Sequence, residues 1–483
     1  PLPKLPPYIS AAVEDLLHTC LAKQKHERFA STFDLLEAVL KTYGNYFAKP
    51  PRSEDISDEF TVGDYLNRGL TFWNLQRYDD AIVDYTEALK LDPENPWIYN
   101  NRGNTYFSLQ RYEEALADLN HAIHLDLGYV KAYANRGFVY AALGRYVEAL
   151  EDQNRAIQAD PEEAKHYNNR GTTFRELKRY QEALADFSQA IQLEPTYAEA
   201  FYNRGDIFSL LQRYEEALAD YTNALQLNPF FASAYYNRGN TLDKLRRYAE
   251  AVSDYTQAIQ ITPADPEFYL NRGATYCNLQ NYEAALADQS QAIKLNSNLA
   301  LAYFNRAKIY QDLHQYSEAL VDYAQAIHLN PTYVEAYNNR GLVYHDLEQF
   351  EGAMTDFNRA IELDGTLAQA YYNRARVFSR LRRDEEALAD YSSAIQLNPR
   401  YAMAFTNRGT VYVRMGRRED AVRDFLDAIK FDPSDPVAYV NLGVVYANNG
   451  ILPEAISYLE KAVQLGDARA VQYLAQLKPA RAK

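Results

Sequence analysis

The tripeptide Asn-Arg-Gly, or a close variant, returns every 34 residues along most of this chain. Its asparagine stands at Asn67, Asn101, Asn135, Asn169, Asn203, Asn237, Asn271, Asn305, Asn339, Asn373, Asn407 and Asn441, with no insertion between copies. A self-similar period of this length restricts the chain to a stacked array. One such unit cannot bury its apolar face alone, and its neighbours must do so.

Counted from Val62, twelve units run from 62 to 469. Position 4 is Tyr or Phe in every unit, position 8 is Gly or Ala, and positions 20 and 27 are Ala throughout. Position 32 is Pro in eight units, among them Pro93, Pro229 and Pro433. Positions 1–14 and 18–30 each carry helical periodicity. Small residues at 8, 20 and 27 let two antiparallel helices approach closely, and aromatics at 4, 11 and 24 fill the flanking space. Proline at 32 stops the second helix. These positions resemble the signature of the tetratricopeptide repeat family over 62–469. Periodicity and resemblance together predict an all-α chain, an α-solenoid wound as a right-handed superhelix of twelve helix-turn-helix repeats.

The flanks depart from the period. Residues 1–46 read as a helical hairpin, with Val13, Leu16, Leu17, Cys20 and Leu21 on one face and Leu36, Val39, Leu40 and Tyr43 on the next. The stretch Cys20–Leu40 resembles the last two helices of a protein-kinase catalytic domain at Cys20-Leu21, Arg28, Ser31 and Leu35-Leu36; Gln24-Lys25 depart from the usual Asp-Pro. The resemblance implies that the chain is the C-terminal part of a serine/threonine kinase that carries a repeat array. The chain begins at Pro1 without a methionine, which fits a piece of something longer. It holds no Gly-rich phosphate loop, no catalytic-loop aspartate and no Asp-Phe-Gly, so the expectation is that this chain is not an enzyme. Residues 47–61 read as a linker stiffened by Pro50-Pro51 and solvated by acids. Ala468–Leu477 reads as a capping helix with Val471, Leu474 and Leu477 inward, so that 470–483 are the rest of that helix and a tail.

Composition bounds the partners. A net charge of −15 argues against nucleic acid. Most of the 42 tyrosines fall at repeat positions and belong to the core rather than to a base-stacking stripe. Cys20 and Cys277 form no disulfide framework and suit a reducing compartment, so a cytoplasmic location is expected. His18 and Cys20 point to different faces of one helix, which speaks against a metal site. No run of 18 apolar residues suggests a membrane span, and no motif calls for a cofactor.

Position 7 is Arg in eleven units, between two packed stripes of the first helix, and position 23 is Asp in the same eleven. The twelfth unit carries Leu442 and Tyr458 and loses both charges together. Pairing across units would strand Arg68 and Asp424; pairing within units strands nothing. Eleven internal ion pairs are therefore expected, and these arginines are removed from any nucleic-acid argument.

Position 6 is Asn in all twelve units, on a stripe with positions 2, 9 and 13 that lacks an evident packing partner and otherwise varies. Helix propensity does not favour Asn, but an amide can donate to and accept from the backbone of an extended peptide without reading its sequence. The peptide-binding superhelices of the O-linked N-acetylglucosamine transferase family carry a similar ladder. The alternative is that each Asn bonds its own solenoid backbone. The carboxylate clamp of chaperone-binding family members needs Lys at position 5 and Arg at position 6, and neither occurs here. Residues 374–430 hold twelve Lys/Arg against eight Asp/Glu, with Arg376, Arg380 and Arg414 on the ladder stripe. The sequence thus points to a scaffold for a protein or extended peptide, acidic near repeats ten and eleven. The other reading is a structural or self-associating solenoid.

Overall fold

The computed structural model describes residues 60–477, and among these it contains 25 helices and no strand. The kinase-like stretch Cys20–Leu40, all of 1–46, and the linker up to residue 59 lie outside the described residues. Each repeat is a pair of helices that occupies positions 1–13 and, in eleven of the twelve, 17–30. In the sixth repeat these are Ala232–Lys244 and Tyr248–Ile261.

The turn between the paired helices is built the same way every time. Position 15 takes a left-handed conformation in all twelve repeats, with φ between 57° and 75° from Gln76 to Gly450. Its N–H bonds the carbonyl of position 12 and the next N–H bonds that of position 11, as in Gln76 N to Trp73 O and Arg77 N to Phe72 O, both 2.9 Å. This is a Schellman closure, which satisfies carbonyls that the helix end would leave bare. The first helix of the array opens on a capping box between Thr61 and Asp64.

The described residues fall into two compact units divided between Asn135 and Arg136. In the first, Ala81, Tyr85 and Ala88 pack with Ile98 of the following repeat. In the second, Ala319, Tyr323 and Ala326 of one repeat pack on Ala336 and Val343 of the next, so positions 3 and 10 of a first helix meet the preceding second helix. The small residue at position 8 is a steric requirement: a Cβ at Gly239 would stand 2.8 Å from the Tyr255 ring. Ala468–Leu477 is helical, but Ala470 and Leu474 are its buried residues and Val471 is exposed. Leu474 and Leu477 pack inward as expected, and Ala470 takes the inward place expected of Val471.

All eleven internal Arg–Asp pairs are formed, from Arg68–Asp84 to Arg408–Asp424. Each is bidentate, with Nε on Oδ2 at 2.7–2.8 Å and Nη2 on Oδ1 at 2.6–2.9 Å. In repeat five the guanidinium lies between the rings of positions 4 and 11, with Cζ 5.7 Å from the Phe201 centroid and 5.9 Å from that of Phe208. The remaining nitrogen, Nη1, reaches back to position 25 of the preceding repeat, as from Arg204 to Ser188 and Arg238 to Thr222, at 2.7–3.1 Å in eight repeats. The pair is therefore internal in charge but also links neighbours. Where the twelfth repeat gives up its arginine for buried Leu442, position 25 before it is Leu426.

Candidate peptide-binding face

The asparagines of position 6 divide into two groups. Seven donate their amide to the preceding repeat: Asn135 to Asn100 Oδ1, Asn203 to Asn168 Oδ1 and Asn373 to Asn338 Oδ1, each at 2.9 Å. Asn237 reaches Tyr202 Oη and Asp206 Oδ1, and Asn271 reaches Tyr236 Oη and Asn240 Oδ1. Asn407 donates to Tyr372 Oη and Asn441 to Thr410 Oγ1. The acceptors are always positions 5 and 9, so these amides bond neighbouring side chains and not the solenoid backbone.

The other group lacks these bonds. Asn305 follows Leu270 and Ala274, and Asn339 follows Phe304 and Lys308, none of which carries an acceptor. Asn305 donates no side-chain hydrogen bond among the described residues, whereas the Asn339 amide faces the Tyr323 hydroxyl of the preceding repeat and its Oδ1 accepts from Asn338; both are half-buried. Asn101, after Leu66 and Leu70, has a buried amide nitrogen with no partner. Asn67 and Asn169 also donate none among the described residues, Asn67 exposed and Asn169 buried.

The three arginines of the basic segment are not equivalent. Arg414 is held by Asp384 and by Ser379 Oγ, which leaves its charge compensated. Arg380 is largely exposed and approaches Glu348 at only 3.5 Å. Arg376 has no acidic partner among the described residues; its Cζ stands 6.0 Å from the Tyr372 ring centroid. Arg376 and Arg380 line a cavity of about 270 Å³ together with His345, Ser379, Tyr391, Asn407 and Thr410. His345 places Nδ1 3.1 Å from Asp346 Oδ1, and its Nε2 is buried without a partner. Burial pushes the imidazole pKa down, Asp346 opposes this in part, and Arg376 and Arg380 add to the lowering, so the ring is neutral at neutral pH. The net character is cationic, with hydroxyls and an amide around an unneutralised guanidinium. The sequence singled out the arginines and Asn407. It missed His345 and Ser379 at position 12, because that position points away from the ladder stripe on a single-helix wheel and joins it only when two repeats are set side by side.

Models of the tetratricopeptide repeat match the chain over 69–144, 171–212 and 312–348 under the description TPR repeat, and over 130–163, 198–287, 334–401 and 406–470 under the description tetratricopeptide repeat. The chain belongs to the tetratricopeptide repeat family, a scaffold fold typical of protein–protein interaction. No curated protein matches it. Among solved structures it is similar to the Cut9–Hcn1 hetero-tetramer of the APC/C at 14% identity over 86% of this chain and 96% of that one, with a TM-score of 0.46. It is similar to yeast Tom70 at 18% identity over 87% and 96%, with a TM-score of 0.40. YrrB, described as a TPR protein with an unusual peptide-binding site, shares 28% identity over 37% of this chain and 92% of that one, with a TM-score of 0.30. No described helix is long and apolar enough to cross a membrane.

Proposed function

We propose that the chain holds an extended segment of a partner protein along the asparagine stripe, with an acidic side chain of that segment against Arg376. The observation that carries this reading is the divided ladder. Asparagine is kept at Asn305, where neither position 5 nor position 9 of the preceding repeat offers an acceptor and where helix propensity disfavours it. A purely structural role explains Asn373, Asn237 and, through the Tyr323 hydroxyl, Asn339; it leaves Asn305 without a reason. Even the tied amides keep Oδ1 as an acceptor for a peptide N–H. The likeness of Cys20–Leu40 to the end of a kinase domain supports a second part of the proposal, that the array recruits partners for a serine/threonine kinase.

The test is a capture of partners by the 483-residue chain, read by mass spectrometry, followed by calorimetry with the ligand segment so found. Asn305→Ala should weaken every ligand by about three- to tenfold, as loss of one modest hydrogen bond would, and leave the melting temperature unchanged. Arg376→Glu should weaken acidic ligands and flatten their salt dependence. Normal affinity in the Asn305 variant, together with a mass that rises with concentration in light scattering, would favour the self-associating solenoid instead.

A further inference from the structure

On the side of the second helices, away from the asparagine stripe, a solvent-open cavity of about 710 Å³ lies between repeats five and six. Leu218 and Thr222 line it from Tyr214–Leu227, and Arg238, Leu242, Arg247 and Asp254 from repeat six. The volume is within the range of ligand clefts, roughly 300–1,000 Å³.

One of its wall residues has no counterpart in any other repeat. Position 11 is Tyr or Phe in eleven repeats and Leu242 in the sixth. The Schellman closure lays the side chain of position 16 over that of position 11. Seven arginines at position 16, from Arg77 and Arg111 to Arg383 and Arg417, stand with Cζ 4.5–4.6 Å from that ring centroid. Each is steadied by a carboxylate three residues on, as Arg145 is by Glu148. Arg247 is the eighth arginine of this kind. It has the same backbone closure, Arg247 N to Leu242 O at 2.9 Å, and the same anchor, with Nε and Nη2 each 2.7 Å from the Glu250 carboxylate. It has no ring beneath it. Arg238 has likewise kept the Tyr235 ring at 5.6 Å and lost the position-11 ring on its other side.

We propose that this cavity takes a tyrosine or phenylalanine side chain of a partner protein, which replaces the ring that repeat six omits. Two guanidiniums are already oriented and paired, so the ring's negative face meets cations that need no rearrangement. Leu218 and Leu242 supply the apolar floor. A leucine or isoleucine knob has no quadrupole to offer these cations.

The proposal is tested on the full chain with N-acetyltyrosinamide as the probe, N-acetylleucinamide as the control and the Leu218 methyl resonances as the reporter. Saturable shifts are expected with the tyrosine amide at millimolar concentration and not with the leucine amide. Leu242→Phe restores what eleven repeats carry, so it should fold and abolish the shifts. Arg247→Gln keeps the cavity open and should also lose most of the binding. Absence of shifts in the unaltered chain, equal shifts from both amides, or survival of binding in either variant would overturn the proposal.

Discussion

Asp206 stands where the next repeat has Asn240. Both side chains do one job: Asp206 Oδ1 accepts from Tyr221 Oη at 2.7 Å and from Asn237 at 2.8 Å, and Asn240 Oδ1 accepts from Tyr255 Oη and Asn271. The carboxylate pays a penalty that the amide does not. Burial pushes the Asp206 pKa up, and the two hydrogen bonds offset this only in part. A folded-state pKa above the unfolded one means that the penalty is absent at low pH, where both states are protonated, and sets in as pH rises through the folded value. Asp206→Asn should therefore melt about 1 °C or more above the unaltered chain at pH 7, and the difference should shrink as pH falls toward 4. Calorimetric scans at the two pH values check this, and a pH-independent difference would count against it. That an Asn recurs at position 6 was plain in the sequence. Which copies are tied was not, because that depends on side chains 31 and 35 residues earlier, offsets that hydrophobic periodicity does not mark.

The helix pair is the next scale, and its distinctive part is the arginine. Side-chain exposure is 22% at Arg204 and 5% at Asp220. Arg204→Ala leaves that carboxylate unpaired, at a cost of about 2–4 kcal/mol, toward the lower side for a buried pair because the arginine is partly solvated. The twelfth repeat shows how the same place is filled without charge. Changing Ser188→Leu, Arg204→Leu and Asp220→Tyr together, after Leu426, Leu442 and Tyr458, should recover most of that loss in a urea melt. Equal destabilisation of the single and triple variants would argue against the pairing as the source. The joint loss of both charges in the twelfth repeat made the pairing legible from sequence alone. The bond from Nη1 to the preceding repeat was not legible, since a pairing argument counts charges and Ser188 has none. The tie of Arg414 to Asp384 was not legible for a related reason: Asp384 opens the second helix of the repeat before, which a wheel drawn for one helix omits.

At the scale of the molecule, the two compact units are built from one rule applied repeatedly, and stability in such an array is close to a sum over repeats and their interfaces. The period, the family and the helix pairs followed from the sequence because each is local and repeated twelvefold. The cavity at Leu242 did not, since one leucine among eleven rings reads as a tolerable substitution until the arginine above it is seen still held in place.

The closed ion pair has a consequence for how such a chain can change its length. Each repeat brings its own anion and cation, and asks of its predecessor only a small polar side chain sixteen residues upstream. Excising 198–231 would set Arg238 behind Ser188 in place of Thr222, with no charge orphaned and a hydroxyl still in reach. A chain shortened in this way should keep its helical content per residue by circular dichroism, whereas a cut of the same size begun mid-pair, after position 7, should splice an arginine and an aspartate of different repeats and test the same rule. A whole repeat is thus a cassette that can be duplicated or dropped without stranding a charge. Growth has two poor seams, behind Ala324 and behind Leu426, where an arginine finds no polar side chain at position 25. Elsewhere the seams accept a new repeat at little cost.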